Sequence, residues 1–307
     1  MILALLLISA PLTLEEAVSE ALRQNETPAL VRQQIVSSEA EKRRALARVL
    51  PSFDVLGSYT RRLRTATPGG SAVRVANALN AQMNLQSRVV DAPSIPLLQA
   101  AGDDLEQTLA AGEDEIRNFA FDVAQAFYAV LASEGLIEAA VERVQLAEVT
   151  VNDSRSRFQA GLAGRGDVNR SALELTTARL DLTDLQNVLV QAKLTLGFLI
   201  GRPLKESLSP EVHPLVPSGS VQELIAQARR DRPDVEAARY ALRAAARRAF
   251  EPWLRLVPSV DLLGQLTFTN ETGFQGRTLD GSLQLLAVWN LYDGGIRYAD
   301  RKGFGAE

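Results

Sequence analysis

The chain contains no cysteine, one histidine (His213) and two methionines. Those absences exclude a disulfide framework, thiolate-bound metals, a cysteine nucleophile, lipid attachment at an N-terminal cysteine and any multi-histidine metal centre. Only four of the 33 basic residues are lysines (Lys42, Lys193, Lys205 and Lys302), 37 acidic residues outweigh them, and a net charge of -4 leaves no footprint for nucleic acid. Long apolar runs are missing as well. Beyond residue 10 no segment offers the roughly 18 consecutive apolar residues of a spanning helix, so a membrane crossing would have to be made by strands. Yet 46% of the 307 residues are hydrophobic, too many for disorder and enough for one large or two ordinary domains.

Ile2 to Ile8 is an unbroken apolar run followed by Ser9 and Ala10, which reads as the core and cleavage end of a signal peptide over residues 1–10, although the usual basic start is lacking. A misassigned start codon or an apolar N-terminal strand would give the same pattern.

Self-similarity organises the rest. Arg48-Val-Leu-Pro-Ser-Phe-Asp-Val-Leu-Gly57 returns as Arg255-Leu-Val-Pro-Ser-Val-Asp-Leu-Leu-Gly264, an offset of 207 residues. Each copy follows two helical stretches, 15–24 with 28–50 and 221–230 with 233–257. Thr13-Leu-Glu-Glu16 has the form of a capping box, Pro28 and Pro233 suit a first helical turn, and Pro51 and Pro258 are placed to end the helices. The repeating unit is helix, helix, strand.

After Pro51 the period changes to two. Val73, Val75, Leu79, Ala81, Met83, Leu85 and Val89 share one face, and Arg74, Asn80, Gln82, Asn84, Gln86 and Arg88 share the other. In the second copy Leu279, Leu283, Leu285, Ala287, Trp289 and Leu291 alternate with Asp280, Ser282, Gln284 and Asn290. Two hairpins are expected, at about 53–91 and 259–292, with turn-rich loops at Thr65 to Ser71 and Asn270 to Arg277. The strands are long enough for a bilayer, but four cannot close a barrel when single chains begin at about eight. Either protomers share a barrel, with Gln82, Asn84, Gln86, Arg88 and Gln284 lining its lumen and Val, Leu and Trp289 toward lipid, or a soluble four-stranded sheet lies under the helices.

Between the hairpins, Leu97 to Phe158 contains no proline and would form a helix of roughly 90 Å. Gln159 to Gly166 is a glycine-punctuated turn, and Asp167 is placed to cap a returning helix over 167–200. There Val168, Leu175, Leu182, Leu189 and Leu196 recur every seven residues, with Ser171, Ala178, Leu185, Ala192 and Leu199 three positions on. This is a coiled-coil seam. A second series, Leu173, Leu180 and Leu194 with Asn187 among them, lies on a neighbouring face and calls for a second neighbour, as in a tube wall; a helical bundle with a wide core stripe would look the same. The returning helix and the 28–50 helix, stacked end to end, come close to the length of the outgoing one. A proline-rich link, 202–219, separates a first repeat (11–201) from a second (220–307).

Taken in order, these features resemble the TolC-like outer-membrane efflux proteins. The resemblance rests on Leu14-Glu-Glu-Ala17, the helix-Pro-Ser-strand junctions at Pro51 and Pro258, Phe158-Gln-Ala-Gly161 followed by Asp167-Val168, Leu199-Ile-Gly201, and Trp289-Asn-Leu-Tyr-Asp-Gly-Gly295. It implies a mainly α fold with membrane β-strands: a long antiparallel helical hairpin forming a coiled-coil tube wall, and strands contributing to a trimeric, twelve-stranded outer-membrane β-barrel. It also implies a homotrimer in contact with outer-membrane lipid, a periplasmic extension, and passive exit in a tripartite efflux or type I secretion system with a periplasmic adaptor and an inner-membrane pump. Two departures stand out. The first strand exit reads Val90-Asp-Ala-Pro-Ser-Ile-Pro96 in place of the glycine pair, so the two joints should differ. By the 207-residue offset the second repeat should also continue to about residue 405–410, so the chain is expected to be a truncated reading that lacks part of the tube wall and the pore-gating residues. Ion conductance in planar bilayers bears on that expectation.

No catalytic constellation stands out, and no cofactor is expected. His213 is best read as a loop histidine, Gly161, Gly164 and Gly166 as hairpin glycines, and Asp103-Asp104 and Glu113-Asp114-Glu115 as solvated helix faces. Arg61, Arg62 and Arg64 are candidates for anionic lipopolysaccharide or for external loops, or are only charges beyond the apolar band. The turn formed by Gly161, Leu162, Ala163, Gly164, Arg165, Gly166, Asp167 and Val168 is the candidate adaptor-docking tip, or a turn shaped only by its backbone. The alternative to a channel is a soluble periplasmic coiled-coil scaffold or interaction protein.

Overall fold

A computed structural model describes residues 11–63, 75–210, 219–271 and 277–304. The leader-like segment 1–10, Arg64 and His213 lie outside the described residues. The elements in order are α1 (Leu14–Gln24), α2 (Glu26–Ala47), β1 (Ser52–Arg61), β2 (Asn77–Val90), α3 (Ser94–Gln159), α4 (Arg165–Ile200), α5 (Val221–Asp231), α6 (Pro233–Leu254), β3 (Ser259–Thr269), β4 (Leu279–Val288) and α7 (Ile296–Phe304). The repeat is visible in their lengths. α1 and α5 have 11 residues each and α2 and α6 have 22 each. α2 and α6 stop short of Pro51 and Pro258. In α2 the end is a tightened turn, with Val49 and Leu50 donating to Leu46 and Ala47.

The chain forms two compact units, Met1–Gln33 with Gly112–Ala228, and Gln34–Ala111 with Arg229–Glu307. In the first, α1 starts with the expected capping box: Glu16 N–H donates to the Thr13 hydroxyl and Thr13 N–H to the Glu16 carboxylate. Its buried Ala17 and Ala21 let it lie close to α4, in one core with Phe119, Val123, Phe127 and Val130 of α3 and Leu196 and Ile200 of α4. Burying each of the large side chains contributes about 1.5–3 kcal/mol. A parallel bridge between Leu12 and Leu208 ties the link segment to the chain start. Arg202 sits between Glu20 and Glu206, at 2.7 and 2.8 Å. The hydrogen bond from Arg202, then one from the backbone, holds the Glu206 carboxyl below its ordinary range.

α3 and α4 run antiparallel, as shown by the ion pairs Glu134–Lys193, Arg143–Asp181 and Glu148–Arg179 climbing the hairpin. These exposed pairs add at most about 1 kcal/mol each. The stability comes from the seam, since every residue of the α4 heptad series from Val168 to Leu199 is buried or half-buried. α3 carries a matching series that the sequence reading missed: Phe119, Ala126, Ser133, Ala140 and Ala147, with Val123, Val130, Ile137, Val144 and Val151. α3 is also long and apolar enough, by composition, to cross a bilayer, a signal that a search for unbroken apolar runs does not register. Its apolar side from Phe119 to Val130 is instead part of this core.

The second unit holds the sheet, in the order β1-β2-β3-β4 with every neighbour antiparallel. α2 meets α3 here, where Thr108 and Ser38 share a hydrogen bond, and α7 packs on α6.

Two glycines close the C-terminal end of α4. Gly201 adopts φ +78 and ends the helix, while a Cβ on Gly197 would lie 2.9 Å from the Arg202 carbonyl oxygen. Gly197→Ala is therefore expected to cost about 1–3 kcal/mol by forcing backbone apart. Gly135→Ala, in the open interior of α3, should be neutral or stabilise by up to about 1 kcal/mol. Thermal unfolding of both variants checks this, and equal melting points would refute it.

Candidate functional site

The register of the sheet decides which side chains share a face. One transverse row is Asp54, Asn84, Gln265 and Ser282; the next are Leu56, Gln82, Thr267 and Asp280, and Ser52, Gln86, Leu263 and Gln284; Arg88, Asp261 and Leu286 follow. All five residues expected to line a lumen, Gln82, Asn84, Gln86, Arg88 and Gln284, thus stand on one polar face. Hydrogen bonds run over it, along β2 from Gln82 to Asn84 and across to β1 from Asn84 to Asp54, at 2.7 and 2.8 Å. At its lower end a cleft of about 350 Å³ is lined by Gln86, Arg88, Asp91, Arg255, Asp261 and Asn290, among others.

The opposite face carries Phe53, Val55 and Tyr59, then Leu79, Met83 and Leu85, then Leu266 and Phe268, then Leu279, Leu283 and Leu285, all exposed. No helix among the described residues covers it. β1 and β4 each pair on one side only, so both sheet edges present unpaired backbone groups. A bulge in β2 sets Arg88 opposite Asp261 and Val90 opposite Val260, which returns Val90 to the apolar face.

The strand bounds differ from those expected. β2 begins at Asn77; Val73 and Arg74 lie outside the described residues, and Val75 precedes the strand. β4 ends at Val288, and the indole N–H of the next residue, Trp289, donates to the Leu256 carbonyl at 2.9 Å. The two strand-to-helix joints do differ, yet both turn on an aspartate. Asp91 accepts from Arg88 and Ser94. Asp293 accepts from the Gly295 and Arg297 N–H groups and pairs with the Arg297 guanidinium at 2.9 Å. Partial burial opposes ionisation of Asp293, but these donors outweigh it and keep its carboxyl below the ordinary range.

Of the partners expected for Arg62, the structure shows one in a loop: Glu271, just past β3, holds its guanidinium at two points and also accepts from the Val75 N–H. One sequence expectation needs correction, because Asp103-Asp104 is not a solvated face. Asp103 is only 5% exposed and lies between Arg243 and Arg247, while Asp104 meets Arg248. Local sequence could not reveal this, since the partners lie some 140 residues away on α6.

At the hairpin turn, α4 begins at Arg165, two residues before the expected start. Asp167 is therefore the third helical residue and caps from inside, accepting from the Gly164 N–H at 3.1 Å. Leu162 N–H donates to the Arg157 carbonyl, and the Leu162 side chain is 79% exposed. Gly161, Gly164, Arg165, Gly166 and Asp167 are exposed, and Ala163 and Val168 are half-buried. Along the hairpin Leu173, Leu180 and Leu194 are 68, 62 and 69% exposed, so the second heptad face has no neighbour among the described residues.

A sheet with one apolar and one polar face, joined to a long antiparallel helical hairpin, is the construction of a channel wall. A model of the outer membrane efflux protein family matches residues 17–202. The chain belongs to this family, and its place is the outer membrane. No curated protein sequence matches it. Among solved structures, VceC of Vibrio cholerae, an outer membrane protein, superposes with a TM-score of 0.79 at 18% identity over 95% of this chain and 72% of that one. The CmeC outer membrane channel of Campylobacter jejuni gives 0.79 at 16%, over 95 and 64%. The open-state MtrE outer membrane channel of Neisseria gonorrhoeae gives 0.74 at 20%, over 95 and 66%. The fold is shared, and this chain spans about two thirds of each.

Asp103→Asn would leave two arginines facing a neutral partner. Because both guanidiniums can still reach water, the cost should be about 1–3 kcal/mol. Asp104→Asn, which breaks a half-exposed pair, should cost under about 1 kcal/mol. Thermal unfolding in detergent ranks the two variants, and a larger loss for Asp104→Asn would contradict the burial argument.

Proposed function

We propose that the protein is a wall segment of a trimeric efflux duct, its sheet supplying four strands of a twelve-stranded barrel and its α3–α4 hairpin part of a periplasmic tube. The observation that carries this is the sheet itself, with its exposed apolar face, its polar face and its two unpaired edges. Lipid offers no partner to backbone N–H and C=O groups, so such a sheet is stable in a bilayer only when both edges are closed by other strands. Sister subunits supply them most simply. A soluble scaffold would bury Leu79, Leu266 and Leu283; here they are exposed.

In this reading Gln82, Asn84, Gln86, Arg88 and Gln284 border water, and Phe53, Leu85, Leu285 and Trp289 border lipid. The protein carries out no reaction and needs no cofactor. The turn from Gly161 to Val168 is the docking point for a periplasmic adaptor that links the duct to an inner-membrane pump, in a tripartite efflux or type I secretion system. Its support is an exposed Leu162 among small residues at the end of a stiff hairpin.

The absence of native cysteine makes the trimer directly testable. Cysteine pairs stepped along β1 and β4, one partner on each edge, should give disulfide-linked species up to trimer in outer-membrane fractions. If no register yields an intersubunit link, the shared barrel is wrong.

The polar face also sets an expected selectivity. Asp54, Asp261 and Asp280 stand on it, whereas the charge of Arg88 is met by Asp91 at 2.8 Å. The duct should prefer cations, and the reversal potential in a potassium chloride gradient should move toward zero in Asp261→Asn and Asp280→Asn. An anion preference in the unaltered protein would contradict this arrangement.

A further inference from the structure

The short helix α7 and the end of α6 enclose a small basic notch that the duct reading leaves unused. Pro252, Trp253, Leu256, Arg297, Tyr298 and Arg301 line it, around a space of about 20 Å³. Arg297 is 9% exposed. Its Nε pairs with Asp293 and one Nη donates to the Leu291 carbonyl, but Nη1 is buried without a hydrogen-bond partner. Such an orphaned guanidinium donor is destabilising unless something accepts from it. At the rim, Arg301 lies over the Trp253 ring at 4.8 Å, with no acidic partner among the described residues, and Lys302 follows it. The other charges of α7 are spent, Asp300 on Arg255 and Arg297 on Asp293.

The place of the notch in the fold says what meets it. Leu256 in its wall accepts from the Trp289 indole, and Trp289 directly follows β4, one step beyond the exposed apolar face. Of its lining residues, Trp253 and Tyr298 are exposed, and Phe250, Tyr292 and Ile296, close to them in sequence, are exposed as well. Aromatic side chains of this kind gather at the membrane–water boundary, where the rings sit at headgroup level.

We propose that this notch binds the phosphate of an anionic phospholipid at the helix-side boundary of the membrane. One phosphate oxygen fills the space and accepts from Arg297 Nη1, a second meets Arg301, and the acyl chains run along the apolar face of the sheet. A space of this size holds one oxygen-sized group. The inference rests on the reading of that face as lipid-facing. Free inorganic phosphate shares the headgroup chemistry but lacks the chains that would continue onto the sheet.

The test uses the purified full chain in mixed micelles holding equal amounts of phosphatidylglycerol and phosphatidylcholine, with retained lipid counted by native mass spectrometry. Phosphatidylglycerol should be enriched about fivefold for each guanidinium engaged. Arg301→Gln, at an exposed position, should reduce that enrichment, and Arg297→Lys, which keeps a charge for Asp293, should reduce it further. Equal retention of the two lipids, or enrichment unchanged in Arg301→Gln, would overturn the proposal and mean that a water serves Arg297. Loss of the enrichment on adding 10 mM inorganic phosphate, a concentration on the order of those used in buffers, would assign the notch to free phosphate and also overturn it. A chain that retains neither lipid and stays dissolved without detergent would instead remove the membrane reading on which the proposal stands.

Discussion

The backbone groups along the free edges of β1 and β4 constrain everything else in this protein. A four-stranded sheet is ordinary in water, where solvent satisfies its edges. Here one face is apolar over all four strands and lies open, which removes water as the surrounding medium on that side. The edges then need strands, and the chain offers no more of them among the described residues. Strand length fits the same medium. β1 and β4 have 10 residues each, within the roughly 9–11 that a tilted strand needs to cross a bilayer.

The helical part answers to a different rule. A hairpin of 66- and 36-residue helices cannot be held by its tip, so it must be zipped along its length. The two seams divide that work by volume. α4 brings large leucines at Leu175, Leu182, Leu189 and Leu196, while α3 brings Ala126, Ser133, Ala140 and Ala147, with β-branched residues between. Small side chains on one helix make room for large ones on the other. The exposed leucines of the second heptad face repeat the pattern of a seam without a partner, just as the sheet edges repeat the pattern of a ladder without one.

How much of this could be read from the residues depends on the range of the interaction. The alternation in β2 and β4 was legible because period two is local and each face is chemically uniform, and it sorted the lumen candidates onto one face correctly. The α4 seam was legible because its residues are leucines. The α3 seam was passed over, although Val123, Val130, Ile137, Val144 and Val151 recur every seven residues there, because only the returning helix was read for heptads. Asp167 was recognised as a cap but assigned the wrong position, because an aspartate serves equally before the helix or in its first turn. Asp103 and Asp104 were misread for one reason. Whether a charge is solvated or buried depends on which distant helix or loop lies against it.

The Asp103 cluster shows why that distant information matters to a chain built by duplication. α2 and α6 are repeats of each other with equal lengths, and α3 could in principle pack its first turns against either in the same way. The arginines break the equivalence. At the 207-residue offset, Arg243, Arg247 and Arg248 correspond to Val36, Ala40 and Glu41. Docking Asp103 and Asp104 on the corresponding part of α2 would strand two carboxylates beside an apolar stripe and a glutamate, a loss in both desolvation and charge repulsion. Against α2 the helix uses a neutral contact instead, from Thr108 to Ser38. Charge thus distinguishes two helices that shape does not, and it fixes which of them lies beside the segment entering α3 from β2.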